Sequence, residues 1–151
     1  MKIAETNSGI GWYLNNETQS HNVFDYLLEK CNGADRIIVS SFAITEAYVR
    51  RIIRNRHRIA EIELLLDFTI ASRNPRVTNY AANNVDRLFL TNNHAKFIYI
   101  EKGDEKYVAG MSNNATNNHR FEFGYILSDP ELISDFAIAI EEMKKHSVLF
   151  G

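Results

Sequence analysis

The order of local patterns predicts an α/β fold, a mixed, largely parallel β-sheet flanked by helices on both faces. Two observations carry this. Between residues 20 and 91 helical and strand-like segments alternate, which is how parallel strands joined by sheet-covering helices read in sequence. Between residues 94 and 128 three strand-like runs then follow one another with no helix between them, which calls for antiparallel pairing.

Each element follows from its residues. After an N-terminal strand or loop, residues 20–34 (SHNVFDYLLEKCNGA) place Val23, Leu27 and Cys31 four apart, a helix opened by Ser20 and stopped at Gly33. Residues 36–42 form a buried strand, and TEAYVRRIIRNRH a second helix with Ala47 or Tyr48, Ile52 and Arg56 on its faces. A strand over 61–68, a short helix opened by Pro75 over 75–84 and a strand over 85–91 follow. The runs HAKFIYIE and EKYVAGMS are joined by Lys102-Gly103-Asp104, which suits a tight hairpin, and HRFEFGYILS is the third run. A last helix starts at Pro130 and carries Leu132, Phe136, Ala139 or Ile140, and Met143 at helical spacing.

Composition bounds the classes. At 151 residues the chain, 1–151, is read as one domain, able to bury a core without disulfides. Its hydrophobic content of 45%, with 2 Pro and 7 Gly, excludes a disordered tail. Cys31 has no partner cysteine, no signal-peptide run opens the chain, and no stretch has the length of a bilayer span, so a cytoplasmic, membrane-independent protein is expected. A net charge of -2 gives no global pull toward polyanions, so nucleic-acid binding must come from local clusters. Residues 50–58, RRIIRNRHR, are one such cluster, read by itself as a solvated face.

The chemistry centres on His94 and Lys96, two apart in a predicted strand and therefore on one face. A turn at Gly103-Asp104 sets position 94 opposite about 113 and 96 opposite about 111, which lands Ser112 and Asn114 beside His94. On the next run Arg120, Glu122 and Gly124 share one face, and Phe121, Phe123 and Tyr125 are expected to enter the core from the other. Five polar groups gathered this way are hard to explain as packing. They suit a phosphate: a fixed ammonium, neutral amide and hydroxyl donors, an imidazole working near neutral pH, and a carboxylate able to orient it.

His94-Ala95-Lys96, Glu101 after four intervening residues, then Gly110-Met111-Ser112-Asn113-Asn114 and Arg120-Phe121-Glu122 resemble the His-x-Lys-x4-Asp, Gly-Ser-x-Asn and Glu elements of the phospholipase D superfamily. Glu101 replaces the usual Asp, and Met111 separates Gly110 from Ser112, which leaves both Asn113 and Asn114 as candidates. Asn114 is favoured because it shares the face of Ser112. The resemblance implies a phospholipase D-like fold and a metal-independent, cofactor-free phosphodiesterase, most plausibly a nuclease acting on DNA or RNA. It implies catalytic roles for His94, Lys96, Asn114, Ser112 and Glu122, with Lys96, Asn114 and Arg120 contacting the phosphate. Since this chain has one His-x-Lys, it further implies a homodimer whose two histidines serve as nucleophile and acid. A catalytically degenerate binding module that keeps the phosphate pocket is the competing reading.

Other polar residues draw plainer expectations. His21, His57, His119 and His146 are read as exposed. A zinc set of His94, His119, Glu122 and Cys31 fits no common ligand spacing. Asp67, at a strand tip, could point into the site but is read as a capping or turn residue, and Arg73 and Arg76, in the loop after that strand, could touch substrate but are read as solvated.

Overall fold

The computed structural model describes residues 2–151. Nine strands form one open sheet: β1 Ala4–Glu5, β2 Gly11–Asn15, β3 Ala34–Ser41, β4 Ile59–Asp67, β5 Arg87–Thr91, β6 Phe97–Lys102, β7 Glu105–Met111, β8 Glu122–Leu127 and β9 Val148–Phe150, in the order β1-β2-β8-β7-β6-β3-β4-β5-β9. Five helices join them: α1 Ser20–Cys31, α2 Glu46–Arg54, α3 Ile70–Arg73, α4 Pro75–Asn84 and α5 Pro130–Lys145. The α/β class and the mixed sheet are those the sequence predicts. Parallel pairing is confined to β3-β4 and β4-β5, where helices make the crossovers. Every other neighbouring pair is antiparallel, so the sheet is less parallel than expected. The excess comes from the two ends of the chain, since β2 joins β8 and the three-residue β9 closes onto β5.

Alternation along the central strands divides the core in two. Ile37, Val39, Leu64 and Leu66 pack with Val23, Phe24, Leu27, Val49, Ile52, Val77 and Ala81 of α1, α2 and α4. Ile38, Leu65, Phe97, Tyr99 and Val108 point the other way, onto Ile133 and Ile140 of α5. Helix starts are fixed locally. The Asn22 side chain accepts from the Gln19 N–H at 2.8 Å, which makes Gln19 the cap and Ser20 the first helical residue of α1. Thr45 caps α2, Asn74 precedes Pro75 in α4, and Asp129 caps α5. Asn32 and Gly33 turn left-handed at the end of α1, with φ of 53° and 105°.

One expectation is overturned. Phe121, Phe123 and Tyr125 do not enter the core; they are 73%, 51% and 54% exposed. Parity along β8 is as read, but the buried side is the one carrying Gly124, under the Tyr13 ring, and Ile126, in the cluster that contains α1. α5 lies over β6, β3 and β4 and leaves the opposite face of β8 and β2 uncovered, with Trp12 and Leu14 exposed beside the aromatics.

Candidate active site

The C-terminal ends of β3 and β4 meet the loop after β5 in a buried polar clamp. Asp67, at the end of β4, accepts from the backbone N–H of Asn93 at 3.0 Å and from the N–H and hydroxyl of Thr69. Asn93 donates its side-chain amide to Ser40 Oγ at 3.0 Å and to the Leu65 carbonyl at 2.9 Å, and accepts from the Ala95 N–H at 2.8 Å. Ser40 donates in turn to the Ala95 carbonyl at 2.9 Å. The backbone on both sides of His94 is therefore held by side chains almost wholly inside the protein. Burial opposes the charge of Asp67, but the Thr69 and Asn93 donors and the nearby Arg73 hold its carboxyl below the usual range.

His94 and Lys96 stand on this clamped segment, just before β6 and not within a strand as the sequence suggested. Their side chains meet all the same, Lys96 Nζ lying 3.0 Å from His94 Nδ1 and 2.9 Å from its carbonyl oxygen. The imidazole is exposed and packs on Phe42, with ring centroids 5.0 Å apart. An ammonium can only donate, so in this arrangement Nδ1 accepts and the ring proton of a neutral His94 sits on Nε2. Lys96 must leave Nδ1 before Nε2 can act as a nucleophile.

The predicted hairpin register is observed. Phe97 pairs with Gly110, and the Met111 N–H donates to the Lys96 carbonyl at 3.1 Å, which carries the ladder one step toward the loop. Beyond it, the Ser112 N–H donates to the Phe123 carbonyl at 2.9 Å, and the Ser112 hydroxyl accepts from the Phe123 N–H at 3.0 Å and donates to the Glu122 carboxylate. Asn113 is buried, accepting from the Tyr13 hydroxyl and donating to the Thr18 carbonyl at 3.0 Å. Burial, then the charge of Glu122, push the Tyr13 phenol well above its ordinary value, so it remains a donor to Asn113. Asn114 is half-buried, its Oδ1 3.4 Å from Ser41 Oγ, while Ser41 accepts from the Ala115 N–H at 2.9 Å and anchors the turn.

Two side-chain pairs thus form, His94 with Lys96 and Ser112 with Glu122, on adjacent strand ends linked through the Lys96–Met111 backbone bond. Among the described residues no hydrogen bond joins Glu122 to His94. Arg120 makes no ion pair, with Glu122 or any other acid, among the described residues. Glu101 lies at the far end of β6, where it accepts from Tyr99 at 2.9 Å; burial first and this bond second push that phenol up to about 12. The basic cluster is largely taken up by acids, with Arg50 on Glu46, Arg51 on Asp25, Arg56 on Asp86 and Arg58 on Glu29. His21 is half-buried, not exposed, and burial, then Arg51, lower its pKa. Among the described residues no three His, Cys, Asp or Glu side chains converge as a metal site. Asn93, Ser40, Tyr13 and Phe42 were not legible as site residues, because only tertiary contact reveals what each holds.

Over 93% of its length the chain superposes on NucT from Helicobacter pylori, covering 98% of that chain with a TM-score of 0.73 and 15% identity. It has the phospholipase D-like fold. The same fold aligns with phosphatidylserine synthase of Haemophilus influenzae Rd KW20 at a TM-score of 0.67 and 12% identity, over 94% of this chain and 40% of that one. It aligns with yeast tyrosyl-DNA phosphodiesterase at 0.57 and 14%, over 93% of this chain and 42% of that one. This phospholipase D-like chain spans less than half the length of those two proteins but nearly all of NucT. No family model and no curated protein matches it by sequence. No helix among the described residues is long and apolar enough to cross a membrane.

Proposed function

We propose that this chain is a metal-independent phosphodiesterase, a nuclease that works as a homodimer through a phosphohistidine intermediate. The observation that carries the reading is the exposed His94 beside half-buried Lys96, 3.0 Å apart, on a backbone clamped by buried Asp67, Asn93 and Ser40. Such a scaffold presents side chains in a fixed place while leaving their tips unpaired by protein acids. On substrate binding Lys96 moves from Nδ1 to a phosphoryl oxygen. The ring proton shifts through solvent from Nε2 to the vacated Nδ1, Nε2 then attacks phosphorus, the bond to the leaving oxygen breaks, and the partner subunit's imidazolium supplies that oxygen's proton. Water next attacks the phosphohistidine, giving its proton to the same partner imidazole and restoring His94. Asn114 and Ser112 donate to the non-bridging oxygens, Arg120 adds charge, and Glu122 positions Ser112.

The uncovered face of β2 and β8 supports a second copy as the occupant. Ala4, Trp12, Leu14, Gly110, Phe123 and Tyr125, which share that face, carry no charge. With Phe121 the exposed part amounts to roughly 500 Å², a patch size typical of interaction surfaces and a large part of a standard dimer contact. Phe123 is bonded to Ser112, so the patch borders the site. A cytoplasmic location fits the unpaired, buried Cys31.

The test is turnover of single- and double-stranded DNA, RNA and a chromogenic phosphodiester in excess chelator. Cleavage is expected, with a trappable phosphohistidine. A requirement for added metal, or activity surviving His94→Ala, contradicts the mechanism. Sedimentation should give a dimer, and Phe123→Arg a monomer with lost activity. Met111, placed between Gly110 and Ser112, favours one second reading, a non-catalytic phosphate-binding module. Salt-sensitive nucleic-acid binding with no phosphohistidine would select it.

A further inference from the structure

Most arginines of the chain are held by carboxylates; among the described residues only Arg54, Arg73 and Arg120 make no ion pair. Arg73 is the one built into the wall of the site. It closes α3, its Nε donating to Thr69 Oγ1 at 2.9 Å and one Nη to the Phe42 carbonyl at 3.0 Å. Its guanidinium lies over the Phe42 ring, Cζ 4.6 Å from the centroid, and that ring is the one against which the His94 imidazole packs. Two of the five guanidinium N–H donors are engaged, and three have no protein partner among the described residues. The carboxylate of Asp67, on the same turn, accepts from Thr69 and Asn93 and not from Arg73. Arg76, one turn on, offers the contrast, being 83% exposed in its side chain and paired with Glu46 at 3.4 Å.

An exposed arginine ordinarily gives up rotamer freedom when it binds an anion. Arg73 is already fixed by two hydrogen bonds and an aromatic face, and that face belongs to the same Phe42 ring that packs on the imidazole. A planar, preoriented guanidinium suits a phosphate diester, which it grips through two parallel N–H bonds. We propose that Arg73 forms a subsite for the phosphate adjoining the one at His94, so that the protein selects a polynucleotide over an isolated phosphodiester. This rests on the phosphodiesterase reading and deepens it, for a lone diester has no second phosphate to offer.

The experiment compares kcat/KM for a short single-stranded oligonucleotide with that for bis(p-nitrophenyl) phosphate in wild type, Arg73→Ala, Arg73→Lys and Arg76→Ala. Oligonucleotide Kd is measured in parallel against salt on a His94→Ala background, with and without Arg73→Ala. The ratio of the two kcat/KM values should fall about tenfold in Arg73→Ala, mostly through KM for the oligonucleotide, and recover in part in Arg73→Lys. Arg76→Ala should keep the wild-type ratio. The slope of log affinity against log salt should drop by about 0.7 when Arg73 is removed. Equal losses on both substrates would assign Arg73 to holding Phe42 and His94 and overturn the subsite, as would an unchanged salt slope. Wild-type protein that turns over neither substrate would sink the phosphodiesterase reading instead, and the salt slope would still decide the subsite.

Discussion

Two polar centres sit on this sheet and are built on opposite plans. Glu63, in β4, is fully buried beneath α5 and lies 3.0 Å from Arg36, 3.0 Å from Arg87 and 2.8 Å from Lys144. Its charge is closed off by its own partners. Around His94 the closure is in the backbone alone, through Asp67, Asn93 and Ser40, and among the described residues the imidazole and ammonium have no acidic partner, pairing with each other, the His94 carbonyl and the Phe42 ring. A charge cluster completed from within serves folding. One whose scaffold is complete and whose tips are open is prepared for a ligand, and the two should respond to substitution in opposite ways.

The largest expected effect is on the open centre. His94→Ala should lower phosphodiester turnover by at least about 10³-fold, yet change unfolding free energy by no more than about 0.5 kcal/mol, because an exposed ring is removed and the clamp is untouched. Initial rates and urea unfolding on the same preparation measure both. A large stability loss would erase the contrast. Glu63→Ala should do the reverse, costing about 3 kcal/mol by removing the buried carboxylate that Arg36, Arg87 and Lys144 share and leaving them only Glu141 and Glu61 nearer the surface, while the folded fraction keeps its kcat. A loss below about 1 kcal/mol would mean that solvent already screens the centre.

The contrast was half legible in the sequence. Turn chemistry at Gly103 and period-two alternation suffice to place 96 against 111, because a hairpin's register follows from its loop, and Met111 does bond to Lys96. Helix starts at Pro75 and Pro130 were equally readable, since proline at a first turn is a local signal. What was missed depends on distant chain. Whether Phe123 or Gly124 faces the core is settled by which side α5 covers, and alternation alone gives parity without giving the side. Asn93 looked like any turn asparagine until Ser40 and Asp67 arrived from other strands. The arginines of residues 50–58 looked available until acids from α1 and the loop before β5 claimed them.

Between the two plans stands the wall that joins the site to the core. Tyr13 crosses directly over Gly124, and a methyl group built there would come within 2.6 Å of the Tyr13 ring. Gly124→Ala should therefore destabilise by about 2 kcal/mol and displace Tyr13 from Asn113, lowering activity as well, a mixed signature that neither His94→Ala nor Glu63→Ala should give. A double-mutant cycle with Tyr13→Ala should recover part of the stability and none of the activity. Additive losses would show that the ring is not the obstacle.

The smallest effect tests the clamp by its charge. The Asp67 carboxyl is held below its unfolded value of about 3.9, so its contribution is complete above that pH and disappears as pH falls through the lower folded value. Asp67→Asn keeps the shape and removes the charge, and should cost about 1 kcal/mol at pH 6. Unfolding curves of the two proteins should lie a constant distance apart from pH 5 to 7, begin to converge as pH falls below about 4 and meet below the lower folded value, where wild type also becomes neutral at this position. A gap that persists undiminished at pH 2 would show that packing, not the carboxylate's charge, secures the Asn93 backbone, and the clamp would then belong with the core instead of with the charged machinery that presents His94.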